Sequence, residues 1–140
     1  MKVLVTGSNG MLGRNLVNLL PYKIIGFDSS SLDITNPEKC NKVLENEKPN
    51  IIIHTAAYTN VEGCEINPDK AYFINTIGTQ NLVNYCIDKD ILFICISSTG
   101  IYGTHKIINP YNEFDEVNPT TIHHKSKYEA EKIVQNHLSK

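Results

Sequence analysis

The stretch Gly7-Ser8-Asn9-Gly10-Met11-Leu12-Gly13 decides the fold, because it lies between the apolar run Val3-Leu4-Val5 and the segment Leu16-Val17-Asn18-Leu19-Leu20. A strand, a glycine turn and a helix in that order make a cradle for the pyrophosphate of a dinucleotide. Gly7 permits the tight turn off the strand. Gly10 lets backbone approach the phosphates with no Cβ between, and Gly13 lets the helix pack closely on the sheet. The start of the helix adds free N–H groups and a partial positive charge that suit an anion. The spacing Gly-x-x-Gly-x-x-Gly is not the Gly-x-Gly-x-x-Gly of the two-domain dehydrogenases, so the glycines alone assign no reaction.

The chain of 140 residues is 41% hydrophobic and 20% charged, which fits one globular domain. A domain of that size buries roughly 70% of the surface its unfolded chain exposes. A net charge of −2 and the absence of a Lys/Arg cluster argue against nucleic acid or a membrane surface as partner. The longest apolar run, Ile91-Leu92-Phe93-Ile94-Cys95-Ile96, is too short to span a bilayer, and no secretory leader opens the sequence. Cys40, Cys64, Cys86 and Cys95 form no Cys-x-x-Cys pair and read as thiols of a reducing cytoplasm. The five histidines, including His54, His105 and His137, show no zinc spacing with them, so no metal site is expected.

Four apolar runs, 2–6, 23–27, 50–54 and 91–96, alternate with four helical stretches. Their near-continuous apolar character fits strands buried on both faces of a parallel sheet. Helices are expected over 10–20, with Leu12, Leu16, Leu19 and Leu20 inward, and from Asn36-Pro37 to about Lys48. A third should run from Pro68 to about Asp88 and a fourth over about 120–137. This βαβαβαβα pattern predicts an α/β, doubly wound, Rossmann-like sheet of four parallel strands in the order 3-2-1-4. The fourth strand then keeps an open edge, so either a partner chain covers it or the polypeptide is a truncated form of something longer.

Asp28 ends the second strand, 21 residues after Gly7, where a carboxylate meets the adenosine ribose hydroxyls. Such a group favours NAD over the 2′-phosphate of NADP, although Ser29-Ser30-Ser31 beside it could take a phosphate. Asp33, next to Ile34, could accept from the adenine amino group. Thr55-Ala56-Ala57-Tyr58-Thr59 leaves the third strand with small residues that give the cofactor room. Asn75 lies mid-helix, where it is either exposed or bridges backbone groups near the site.

In these motifs, and in Leu32-Asp33-Ile34-Thr35, Asn75-Thr76-Ile77-Gly78-Thr79-Gln80-Asn81-Leu82, Ser97-Ser98-Thr99-Gly100-Ile101-Tyr102-Gly103 and Lys125-Ser126-Lys127, the chain resembles the extended short-chain dehydrogenase/reductases. Among them it is most similar to the N-terminal half of the dTDP-4-dehydrorhamnose reductases. The resemblance implies an NAD- or NADP-dependent reductase of a 4-keto nucleotide sugar, serving deoxysugar and polysaccharide synthesis. It implies cofactor contacts from Gly7, Asn9, Gly10, Met11, Leu12, Gly13, Asp28, Asp33, Ile34, Ala56, Ala57, Tyr58, Asn75, Ser97 and Lys127. A hydroxyl polarises the carbonyl: Ser98, with Thr99 as second choice. Lys127 matches the lysine that holds the nicotinamide ribose and lowers the pKa of a tyrosine donor. The family's substrate region lies beyond residue 140, so residues 1–140 read as the dinucleotide-binding domain alone. In the family the helix after Pro68 and the final helix often form a dimer interface, so a homo-oligomer or a partner chain is also expected, with Tyr72, Phe73 and Tyr85 as candidates for that interface or, equally, for the core.

The departure is at the tyrosine. The family's Tyr-x-x-x-Lys reads His123-His124-Lys125-Ser126-Lys127, in a register set by Pro119. His123 and Lys127 share a helix face, but neighbouring lysines should empty the imidazole of its proton at neutral pH. Imidazole is also shorter than a phenol, and a misplacement of about 1 Å can cost about 10²-fold in rate. Weakened chemistry follows, with Tyr102 and Tyr128 as substitute donors by proximity in sequence only. The alternative is a non-catalytic NAD(P)-binding subunit that acts with a partner chain.

Overall fold

The computed structural model describes residues 1–103 and 110–138. Strands β1 (Lys2–Thr6), β2 (Lys23–Phe27), β3 (Ile51–His54) and β4 (Leu92–Cys95) form one parallel sheet. Helix α1 (Met11–Leu19) covers one face, where Leu16 and Val17 pack on Val3, Val5 and Ile53. On the other face Leu44 of α2 (Pro37–Glu47) and Leu82 of α5 (Gly78–Cys86) meet Leu4 and Ile52. The doubly wound α/β architecture is therefore the expected one.

The strand order is not. The expected 3-2-1-4 is replaced by β2-β1-β3-β4, with β3 beside β1 and β2 at an edge. Burial explains this. Ile52, Ile53 and His54 are buried and need a strand on each side, whereas Lys23 and Gly26 of β2 are exposed and suit an edge. β4 forms the other edge, and among the described residues its far side is unpaired. Leu92 is 57% exposed and Ile94 39%, so the expectation of burial on both faces fails for β4.

Register aligns the carboxyl ends. Phe27, Thr6, His54 and Cys95 lie in one row, so the four segments that follow them emerge side by side. The chain leaves β1 toward β2 and then crosses back to β3, which makes the gap between β1 and β3 the switch point where such sheets bind ligands.

Three helical details depart from expectation. In α1 the inward face is Gly13, Leu16, Val17 and Leu20, while Leu12 and Leu19 are exposed, Leu19 at 76%. A short helix α3 (Val61–Ile66), capped by Asn60 accepting from the Gly63 N–H at 2.7 Å, was not expected. The helix expected from Pro68 to Asp88 is α4 (Pro68–Tyr72), a π-helical turn (Phe73–Ile77) and α5. The last helix, α6 (Ile122–Leu138), packs on α5 and on the π turn. No helix among the described residues is long and apolar enough to cross a membrane.

Candidate functional site

The glycine turn sits directly above the switch point. Gly7 adopts φ +70°, and a Cβ there would lie 2.7 Å from the Ala56 nitrogen. The turn closes through Gly10 N–H donating to Gly7 O at 2.9 Å and Ser8 N–H donating to Phe27 O at 3.0 Å. Thr55 Oγ1 donates to Thr6 O at 2.7 Å, so the β3 exit is tied to the same turn.

A cavity of about 780 Å³ opens here, within the range of small-ligand and cofactor sites. Of the residues the resemblance implies for the cofactor, Gly7, Asn9, Gly10, Met11, Leu12, Gly13, Asp28, Asp33, Ile34, Ala56, Ala57 and Tyr58 line it. Asn75, Ser97 and Lys127 do not. A Cβ on Gly10 would meet only Gly7 O within 4 Å, so the helix start presents bare backbone to open space. That is the fit a pyrophosphate requires.

Two aspartates, Asp28 and Asp33, line the cavity in the segment that follows β2. The Asp28 carboxylate accepts from the hydroxyls of Ser30 at 2.7 Å and Ser31 at 2.8 Å and from their N–H groups at 3.1 and 3.0 Å. Asn9 Nδ2 also donates to it. The Ser30 and Ser31 hydroxyls, then their amides, lower its pKa to about 2. Two of the three serines expected to welcome a phosphate are thus engaged by the carboxylate, and only Ser29 lines the cavity. Asp33 Oδ1 accepts from Thr35 Oγ1 at 2.6 Å and Thr35 N–H at 3.0 Å, which lowers its pKa too.

Asn75 does bridge backbone groups. Its Oδ1 accepts from Tyr58 N–H at 2.7 Å, and its Nδ2 donates to Tyr58 O at 3.1 Å and to Ser126 Oγ at 2.9 Å. The π turn that holds Asn75 is bound to α6 again where Thr76 Oγ1 donates to Ser126 O at 2.9 Å. Such turns concentrate at functional sites because the extra residue re-aims a side chain.

Ser98 and Thr99 follow β4, and His123 and Lys127 stand on α6, which packs on β4 and on the 3₁₀ turn Thr99–Tyr102. Ser98 caps the 3₁₀ turn Thr99–Tyr102 by accepting from Gly100 N–H at 3.3 Å, which leaves its own proton to donate. Ser97 Oγ is buried with no hydrogen-bond partner among the described residues. Lys127 is buried, which lowers its pKa, opposed by Cys95 and Glu131. His123 Nδ1 donates to Tyr58 O at 3.1 Å, since a carbonyl only accepts. The neutral ring then carries a lone pair at Nε2 and has no proton there to give. Burial is the main cause that lowers the His123 pKa, ahead of His124 and Lys127; the bond to Tyr58 opposes it. The expectation of lysines as the cause is corrected accordingly.

The His124 ring fills the space a side chain at Gly100 would need, 2.1 Å from that Cβ position. Tyr102 stacks on Tyr111 with centroids 4.7 Å apart, and Lys132 approaches the Tyr128 ring at 5.2 Å. Sequence reasoning passed over Lys70, Ile74 and Ile96 in the cavity wall. Lys70 Nζ lies 4.7 Å from the Tyr58 ring centroid, a pairing with no signal in local sequence. His105 falls outside the described residues. The described residues hold no His/Cys/Asp/Glu cluster suited to a metal ion.

A parallel sheet with a glycine turn at its switch point and an acidic residue after β2 defines the Rossmann-like fold of the short-chain dehydrogenases/reductases. The chain belongs to the family described as the RmlD substrate binding domain, which matches residues 1–140. It is 34% identical over 137 residues to a dTDP-4-dehydrorhamnose reductase of Aggregatibacter actinomycetemcomitans, covering 95% of this chain and 46% of that protein. It is 40% identical over 111 residues to a GDP-6-deoxy-D-talose 4-dehydrogenase of the same organism, covering 74% and 37%. A crystal structure of dTDP-4-dehydrorhamnose reductase from Bacillus anthracis in complex with NADP superposes with a TM-score of 0.94 at 36% identity. It covers 99% of this chain and 50% of that one. The chain thus spans about half the length of these relatives or less.

Proposed function

We propose that the chain binds a nicotinamide dinucleotide in the β1/β3 cavity as part of a reductase of 4-keto nucleotide sugars. The cavity carries this reading: bare glycine backbone, a helix start and an ionised Asp28 surround one space of dinucleotide size. The cofactor, when bound, supplies the hydride. Ser98 would polarise the carbonyl with its free hydroxyl proton, and Lys127, although it does not line the cavity, is the residue the resemblance assigns to a ribose hydroxyl. NADP is favoured by the complex of the B. anthracis relative, while the Asp28 carboxylate favours NAD. Removing that charge separates the two: Asp28→Asn should raise the ratio of NADPH to NADH affinity about fivefold. Fluorescence titration with each nucleotide reads it, and an unchanged ratio refutes the role of Asp28.

Turnover should be assayed with both dTDP- and GDP-linked 4-keto-6-deoxyhexoses, since relatives of this chain carry both nucleotides in their names. His123 limits the rate. A phenol in place of the imidazole should raise NADPH oxidation by about 10²-fold in His123→Tyr, the range of general acid catalysis.

A second reading is a cofactor-binding chain without chemistry of its own, covered by a partner or a second copy along β4. The Nε2 lone pair of His123 and the outward Leu92 and Ile94 favour it. It requires NADPH binding with no turnover in either the parent or His123→Tyr, and a complex larger than the monomer in light scattering.

A further inference from the structure

His54 is wholly buried, a polar ring at the end of an interior strand, and no step above uses it. Its surroundings settle which nitrogen carries the proton. Thr79 Oγ1 donates to Asn75 O at 2.6 Å, so its lone pair is what faces His54 Nε2 at 3.0 Å. Nε2 must therefore donate. Nδ1 must then accept, and it does so from Thr6 Oγ1 at 2.7 Å. Thr6 Oγ1 in turn accepts from Ala56 N–H at 3.4 Å. Every donor in the series points the same way: Ala56 N–H to Thr6, Thr6 to His54, His54 to Thr79, Thr79 to the Asn75 carbonyl.

The two ends of this series matter. Thr6 immediately precedes Gly7, and Ala56 lines the cavity. Asn75 stands in the π turn, and its carbonyl accepts from Thr79 Oγ1. With its carbonyl held by Thr79, the Asn75 side chain is free to clasp both main-chain groups of Tyr58, another cavity residue.

Resting on the dinucleotide reading above, we infer that His54 is a positioning residue. Held as the Nε2–H tautomer between Thr6 and Thr79, it fixes the π turn so that Asn75 sets the Tyr58 wall of the cavity against the glycine turn. Its contribution falls on one part of the ligand. The fold directs the adenosine half of a dinucleotide toward β2, and Tyr58 follows β3 on the opposite side of the switch point.

Thr79→Val keeps the shape and removes the hydroxyl; Thr79→Ser keeps the hydroxyl. Thr79→Val loses both buried hydrogen bonds of the hydroxyl, from His54 and to Asn75 O, and should weaken NADPH binding about tenfold while leaving ADP binding within about twofold. Thr79→Ser should return NADPH affinity to within about twofold of the parent. Long-range ¹H–¹⁵N spectra of the parent chain should show His54 protonated at Nε2, bare at Nδ1, and unchanged from pH 8 to pH 5. Equal weakening toward NADPH and ADP, or none, overturns the inference, and so does the opposite tautomer, which is measurable even if Thr79→Val does not fold. A parent chain that fails to bind NADPH overturns the dinucleotide reading itself. Binding by the parent with Thr79→Val unimpaired overturns only the role of His54.

Discussion

Replacing Gly13 with alanine is expected to remove about 3 kcal/mol of stability and lower the melting temperature by roughly 10 °C. The methyl group would lie 2.2 Å from Gly7 O and 2.9 Å from both Gly7 C and Ser8 Cα. All three are main-chain atoms, so no side chain can swing aside, and the turn itself must move. NADPH affinity should fall with it. Gly10→Ala offers the contrast, because its methyl would meet only Gly7 O, at 3.1 Å, and otherwise projects into the cavity. That variant should keep its melting temperature within a few degrees, roughly the effect of 1 kcal/mol, and still bind NADPH poorly. Circular dichroism melts and fluorescence titrations on the pair separate packing from ligand contact. An unshifted melt for Gly13→Ala would refute the close approach of α1 to the turn.

Acid should weaken the fold well above the range where carboxylates titrate. Burial, with Lys127 adding to it, lowers the His54 pKa to about 3, against about 6.5 in an unfolded chain. Above pH 6.5 neither state holds the proton. Below it the unfolded chain takes one up and the folded chain refuses it until about pH 3, so unfolding gains about 1.4 kcal/mol per pH unit. From pH 7 to pH 5 the loss from His54 is roughly 2 kcal/mol, and His123, also depressed by burial, acts in the same direction. Asp28 has the carboxylate pattern, and its contribution is lost only as pH falls below about 4 toward its folded value near 2. Urea midpoints at pH 7.5, 6 and 5 should descend steadily, and His54→Gln should flatten the descent. A level profile in the parent would refute the buried neutral ring.

The parts of this molecule legible in its sequence are those set by neighbours along the chain. The glycine turn, the Asn36-Pro37 helix start and the four apolar strands depend on local chemistry, and the structure has each of them. Strand order depends on which runs are buried twice. Ile24-Ile25 and Ile51-Ile52-Ile53 look alike as text, and only the exposed Lys23 and Gly26 mark β2 as an edge. The site divides in the same way. Asp28 could be placed by counting from Gly7 and the β3 exit by following the apolar run 50–54, whereas the Asn75 clasp spans 17 residues to Tyr58 and 51 to Ser126. His54 meets Thr6 across 48 residues. No periodicity announces pairs that distant, and a buried histidine at a strand end reads in isolation as one more core residue.

The widened turn at Phe73–Ile77 has a consequence for tolerance to length change. It divides one rod into two segments clocked to different neighbours: α4 lies against α6, while α5 must satisfy both α6 and α2. Four α-helical residues turn through about 400°, nearly as far as the five of a π turn, so deleting one residue there would regularise the coil and leave α5 facing as it does now. Leu82 and Cys86 would keep their places in the interior, so a gap of one should be tolerated better at this turn than within α4 or α5, where it would rotate everything beyond it by about 100°.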